Sequence, residues 1–141
     1  DFDTGEFLRQ YKYAYLIATK IVPIEKGIPI DKSQELIRPE RIRVEKELLK
    51  LELRFGGRAF AYVGKCLYCP DSECARKCNR PCLHPDKVRP SLEAFGFDMT
   101  RTLSELFGIE LLWGKNGILP EYLVIVSGLF HNSTENIISE A

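Results

Sequence analysis

The sequence predicts a single-domain α+β fold spanning residues 1–141, with a mixed or largely antiparallel sheet, flanking helices and an inserted cysteine-rich loop. Strand-like and helix-like runs are both present, but they do not alternate at the spacing of repeated βαβ units. The 141 residues and 45% hydrophobic content suffice for one core, burying about 68% of the surface that the unfolded chain exposes. All five cysteines fall in residues 66–82, which sets that segment apart from the regular elements around it.

Along the chain, residues 6–10 read as the end of a short helix. Residues 11–22, rich in Tyr, Ile and Val and stopped by Pro23, read as a first strand lying in the core. Two prolines and Gly27 make residues 23–32 a connection, and Asp31 with Gln34 fits a capping box. Pro39 is tolerated only near a helix start, so a short turn is expected up to Arg38 and a long helix over residues 39–55. Val44, Leu48, Leu51 and Phe55 recur at offsets of four, seven and eleven and form its core stripe. Arg43, Glu47, Lys50 and Arg54 form the solvated one.

Gly56 and Gly57 end that helix by allowing a left-handed turn. Residues 58–63 read as a second strand broken at Gly64. Beyond the cysteines, Ser91 is placed to cap a helical turn through Phe95, and Asp98 to cap a helix closed by Gly108. Residues 109–113 and 122–130 read as two further strands, separated by a loop with Gly114, Asn116, Gly117 and Pro120. Trp113 and the tyrosines are assigned to the core or the sheet.

Charge narrows the function. Twenty basic and twenty acidic side chains cancel, and the pI is near 6.9, which argues against nucleic acid as a partner. The longest apolar runs, 13–18 and 122–126, are far too short to span a bilayer, so no membrane partner is expected. The acidic start at residues 1–5 lacks the basic and apolar regions of a signal peptide, which points to a cytoplasmic chain. In that compartment the sequon Asn132-Ser133-Thr134 is not used.

Cys66, Cys69, Cys74, Cys78 and Cys82 are spaced C-x2-C-x4-C-x3-C-x3-C. A disulfide framework spreads cysteines to close long loops and needs an oxidising compartment, so ligation of a metal explains the density better. All five are candidate metal ligands. The run lacks the paired C-x2-C units or following histidines of zinc fingers and is closer to iron–sulfur loops, so a cluster, 4Fe–4S favoured, is preferred over zinc. Four ligands suffice. Cys66 and Cys69 form a chelating pair, Cys82 is held among prolines, and Cys74 and Cys78 compete for the last place, with Cys78 taken into the cluster set beside Cys66, Cys69 and Cys82.

Pro70, Pro81, Pro85 and Pro90 stiffen the loop. Lys65, Arg76, Lys77, Arg80, Lys87 and Arg89 surround the thiols, with Asp71, Glu73 and Asp86 near enough to pair with them as ordinary surface charge. In the run Arg89-Pro90-Ser91-x-Glu93, Arg89 is expected to bond a carbonyl or a thiolate and latch the loop to the domain. His84 is a candidate ligand or proton carrier. Neither it nor His131 has a partner at ligand spacing.

The stretch Val44-Glu-Lys-Glu-Leu-Leu-Lys-Leu-Glu-Leu-Arg-Phe, the following Gly-x-Cys-x2-Cys, and the long run Pro81-Cys82-Leu83-His84-Pro85-Asp86-Lys87-Val88-Arg89-Pro90-Ser91-Leu92-Glu93-Ala94-Phe95-Gly96-Phe97-Asp98 carry a resemblance. They resemble the cysteine-rich family of predicted metal-binding proteins of unknown function, domain of unknown function 2284, from anaerobic bacteria and archaea. The match runs over residues 44–131, with weaker similarity in 11–17. The resemblance implies a cysteine-ligated metal through Cys66, Cys69 and Cys82, while the spacing from Cys74 to Cys78 departs from the family's more regular pattern. Members of that family carry a further cysteine-bearing segment upstream of the first strand, which this sequence lacks, so an upstream segment is expected to be missing.

Together these readings lead to an iron–sulfur protein that transfers electrons to a redox partner protein or senses redox state. The alternative is a zinc-stapled interaction module. An enzyme ranks last, because no paired carboxylates, catalytic triad or phosphate loop accompanies the cysteines.

Overall fold

A computed structural model describes residues 3–61, 66, 68–70, 73–85 and 87–137. The fold is α+β, built on a three-stranded antiparallel sheet in the order β1-β3-β2. Helix α1 (Thr4–Arg9) is capped by Asp3, whose carboxylate accepts the Glu6 amide at 3.0 Å. Strand β1 (Tyr13–Ile21) pairs along its whole length with β3 (Leu123–His131), from Tyr13 opposite His131 to Ile21 opposite Leu123. The short β2 (Arg58–Phe60) lies on the other side of β3, opposite Phe130 to Gly128.

β3 therefore occupies the centre, and its residues from Ile125 onward are buried. A continuous apolar run is what a strand covered on both faces requires. β1 is an edge strand, and none of its nine residues is fully buried, so the expectation of a core strand is corrected. Its tyrosine, isoleucine and threonine side chains fit a half-covered surface equally well.

The long helix α2 (Ser33–Phe55) begins earlier than expected and runs through Pro39. The ring removes one backbone donor in 23 residues, a loss that packing along the rest of the helix outweighs. The Asp31–Gln34 capping box does not form. Asp31 sits in a 3₁₀ turn, Ile30–Lys32, that runs straight into α2, and Lys32 at the N-cap makes no side-chain capping bond. The predicted stripe does face the sheet: Val44, Leu48 and Leu51 pack with Ala59, Ala61 and Leu129, joined by Tyr15, Ile17 and Phe55.

Gly56 and Gly57 both adopt positive φ and turn the chain from α2 into β2. Gly57 is also a close approach, since a Cβ there would lie 2.0 Å from the Phe130 carbonyl oxygen. Residues 62–63 of the expected second strand, and Gly64 after them, lie outside the described residues.

The opposite face of the sheet carries an aromatic core. Phe60, Leu92, Phe95, Leu103, Val126 and Phe130 pack together, with Phe60 and Phe95 ring centroids 4.8 Å apart and Phe7 of α1 5.5 Å from Phe60. Leu92–Phe95 forms a 3₁₀ turn with Ser91 at its N-cap, although the Ser91 hydroxyl makes no capping bond. Helix α3 (Met99–Thr102) is capped by Asp98, which accepts the Arg101 amide at 3.1 Å. It continues as a π-helical turn, Leu103–Phe107, that Gly108 ends.

Residues 109–113 form no strand. Ile109 and Leu111 alternate into the aromatic cluster, which accounts for the strand-like pattern, but their backbone joins none of the described strands. The segment is tied by the Tyr122 hydroxyl, which donates to the Glu110 carbonyl. Trp113 is 73% exposed, which corrects its assignment to the core or sheet. Among the described residues, no helix is long and apolar enough to cross a membrane.

Candidate metal centre

The cysteine loop leaves the sheet beyond Ala61 and returns at Arg89, and both ends are tied to α2. Near its start, the Tyr68 hydroxyl donates to Glu45 at 2.7 Å. Burial and the adjacent carboxylate push the Tyr68 phenol up to about 12, so it stays a donor at any physiological pH. At the far end, Arg89 forms a two-pronged ion pair with Glu52, at 2.8 and 3.3 Å, and donates to the Ala59 carbonyl at 2.6 Å.

Glu45 and Glu52 are seven residues apart, about 20° short of two full helical turns, so they share one face of α2. That face is a rail holding both loop ends. The latch expected of Arg89 is present, and its targets are a carbonyl and a carboxylate instead of a thiolate. Immediately beyond, Leu92 and Phe95 fix the returning chain in the aromatic core. Glu45 and Glu52 do not stand out in the sequence because charged residues at helical spacing read first as a solvated face, and Tyr68 does not because its partner lies 23 residues away.

Between these anchors the loop folds around a cavity of about 180 Å³ lined by Cys66, Cys69, Cys74 and Cys82, with Tyr68 and His84 also on its wall. Cys78 is exposed and lies outside the lining. It ends a 3₁₀ turn, Ala75–Cys78, while Cys74 precedes that turn and faces the cavity with its Lys77-bonded carbonyl at the turn's start. Asn79 closes the turn with φ 57°, and the chain returns through Arg80 to Cys82.

Burial, followed by the neighbouring sulfurs of Cys74, Cys66 and Cys82, pushes the Cys69 thiol above its ordinary value. The sulfurs of Cys74, Cys66 and Cys82 are therefore near enough to Cys69 to disfavour its thiolate, and a cation beside it reverses that penalty. The Cys82 sulfur accepts the His84 amide at 3.3 Å, which disperses negative charge from the sulfur. His84 contributes this amide and a stretch of wall. Arg76, Arg80 and Lys87 are exposed, in line with their reading as surface charge; Lys65, Asp71 and Asp86 lie outside the described residues.

Among the described residues, no three His, Cys, Asp or Glu side chains stand at the mutual spacing of a ready-made metal site. The thiols rim a cavity instead of converging on a point. Among the described residues the cavity wall carries soft thiols and no carboxylate, which suits thiolate-bound iron or zinc better than a hard cation such as calcium or magnesium.

His131 is not on the wall of this cavity. It is buried at the end of β3, stacks on Tyr13 with ring centroids 5.5 Å apart, and accepts the Ser133 amide on Nδ1 at 3.1 Å. Burial pulls its pKa below the ordinary histidine value. Asn132, the sequon asparagine, bridges the Gln10 carbonyl at 2.8 Å and the Lys12 amide at 2.7 Å, a structural role.

The family described as predicted metal-binding protein (DUF2284) matches residues 3–130, and the chain belongs to it. No curated protein and no solved structure matches the chain.

Proposed function

We propose that Cys66, Cys69, Cys74 and Cys82 hold an iron–sulfur cluster, 4Fe–4S in type, in a protein that carries electrons to a redox partner or senses redox state. The observation that carries this reading is the cavity rimmed by four thiols. A single zinc ion with Zn–S bonds of about 2.3 Å draws four sulfurs to about 3.8 Å from one another and leaves no void between them. A cavity of about 180 Å³ exceeds the roughly 150 Å³ that admits a benzene ring, so it accommodates a polynuclear group.

When bound, the cluster supplies one-electron chemistry. The protein's part is to bind and tune it. The four cysteines surrender their protons on binding, the His84 amide stabilises added negative charge at Cys82, and Tyr68 and Arg89 hold the loop ends at fixed separation. Within this reading Cys74 takes the fourth ligand position and Cys78 stays outside the first coordination shell.

Protein purified without oxygen is expected to contain iron and acid-labile sulfide and to absorb broadly in the visible. A colourless protein with stoichiometric zinc overturns the cluster and leaves a zinc-stapled interaction module.

A further inference from the structure

On the sheet face away from α2 lies a groove of about 510 Å³, within the range of about 300 to 1,000 Å³ typical of small-molecule sites. Its floor is the outer side of the aromatic cluster, with Leu92, Leu103 and Val126 among the lining, and Met99 and Leu111 flank it. One wall is the segment from Arg89 to Glu93, which continues directly from the thiol cavity. The other is Trp113.

Three groups here are left without the partners that folded proteins usually give them. Trp113, the single tryptophan of the chain, is 73% exposed and has no ring contact among the described residues. The Ser91 hydroxyl stands at an N-cap without making the capping bond. The exposed Glu93 carboxylate has neither an ion pair nor a hydrogen bond among the described residues. Arg89, the one cation on the lining, is already neutralised by Glu52. The groove is thus an apolar trough with an aromatic wall and one uncompensated negative charge at its rim.

We propose that this groove binds a small organic amine. Its flat apolar body lies against Trp113 and the Leu103 floor, and its ammonium group donates to Glu93 and Ser91. Charge complementarity selects the cation: a carboxylate-bearing ligand of equal shape meets Glu93 with like charge and no free base to receive it.

Because Trp113 is the sole tryptophan, its fluorescence reports on this groove alone. The test titrates the full chain, as purified, with 4-nitrophenethylamine and with 3-(4-nitrophenyl)propionate, two nitroaromatic quenchers of similar size and opposite charge. Saturable quenching by the amine is expected, with an affinity about tenfold above that of the acid, the scale of one charge-assisted hydrogen bond. In Glu93→Gln, with an unchanged far-ultraviolet circular dichroism spectrum, the preference should fall below about threefold.

Non-saturating quenching by the amine, a wild-type preference below about threefold, or a preference that survives Glu93→Gln each overturns the proposal. The first of these outcomes leaves the groove as a surface for another protein segment. The wild-type comparison of the two probes decides even if the variant fails to fold.

Discussion

Arg89 grips Glu52 with both terminal nitrogens, and the same guanidinium reaches the Ala59 carbonyl, so one side chain joins the cysteine loop to α2 and to β2. The two side chains retain only 18% and 15% of their exposure. Removing one partner strands the other's charge in a half-desolvated place. Arg89→Ala is expected to cost about 2 kcal/mol, less than for a fully buried pair, because Arg58 lies 3.7 Å from Glu52 and takes up part of its charge. Arg89→Lys keeps the charge but loses the fork, and should cost about half as much. Urea denaturation checks both, and each variant should lose metal faster to a chelator than the parent.

Cys74 and Cys78 differ in what they face, and single serine substitutions separate them. Cys74→Ser is expected to empty the site, with loss of metal content and visible absorption. Cys78→Ser should retain both at parental levels, since its thiol is exposed and off the cavity wall. The reverse pattern assigns Cys78 as the ligand.

Gly57 and Gly56 form a matched pair for testing the turn. Gly57→Ala places a Cβ 2.0 Å from the Phe130 oxygen at φ 93°, so β2 must move from β3; a loss of about 3 kcal/mol or more is expected. Gly56→Ala meets nothing within 4 Å, so only the backbone is penalised: φ 75° with ψ −174° is a conformation that essentially only glycine adopts, and the loss should be about 1 to 3 kcal/mol. Thermal or urea unfolding measures the difference, and equal losses would remove the close approach as the cause.

His131 gives the fold a dependence on acid. Its pKa is depressed by burial, so the folded state favours neutral imidazole and the unfolded state binds more protons below pH 6.5. Stability from this group is therefore fully present above pH 6.5 and falls as pH drops from there through the lower folded pKa. In His131→Asn that part of the loss should vanish. Urea midpoints between pH 7.5 and about 5 in both proteins check this, and parallel curves would assign the acid sensitivity to other groups.

Much of the local structure was legible in the residues. The Val44, Leu48 and Leu51 stripe, the Asp98 cap of α3, the Gly108 stop of the π-helical turn after it, and the glycine turn after Phe55 all follow from side-chain period and backbone freedom, which act within a few residues. The errors have one origin. Tyr11–Val22 and residues 109–113 carry strand-like composition, yet whether such a run is central, at an edge or unpaired depends on what lies beside it. Pro39 likewise breaks a helix in isolation and is carried by one whose other turns are packed.

The sequence by itself determined that five thiols share one short loop and that an α+β core supports it, because clustering and periodicity are properties of the chain's order. Which thiols line one cavity, and what ties down the ends of their loop, only the tertiary structure decided. Cys74 and Cys78 are equivalent in spacing, and a 3₁₀ turn between them sends one to the cavity and the other to solvent. Glu45 and Glu52 look like ordinary helix-surface carboxylates until the loop folds back and brings Tyr68 and Arg89 to them, over 23 and 37 residues of chain. Such contacts depend on distance in space, which residue spacing along the chain does not encode.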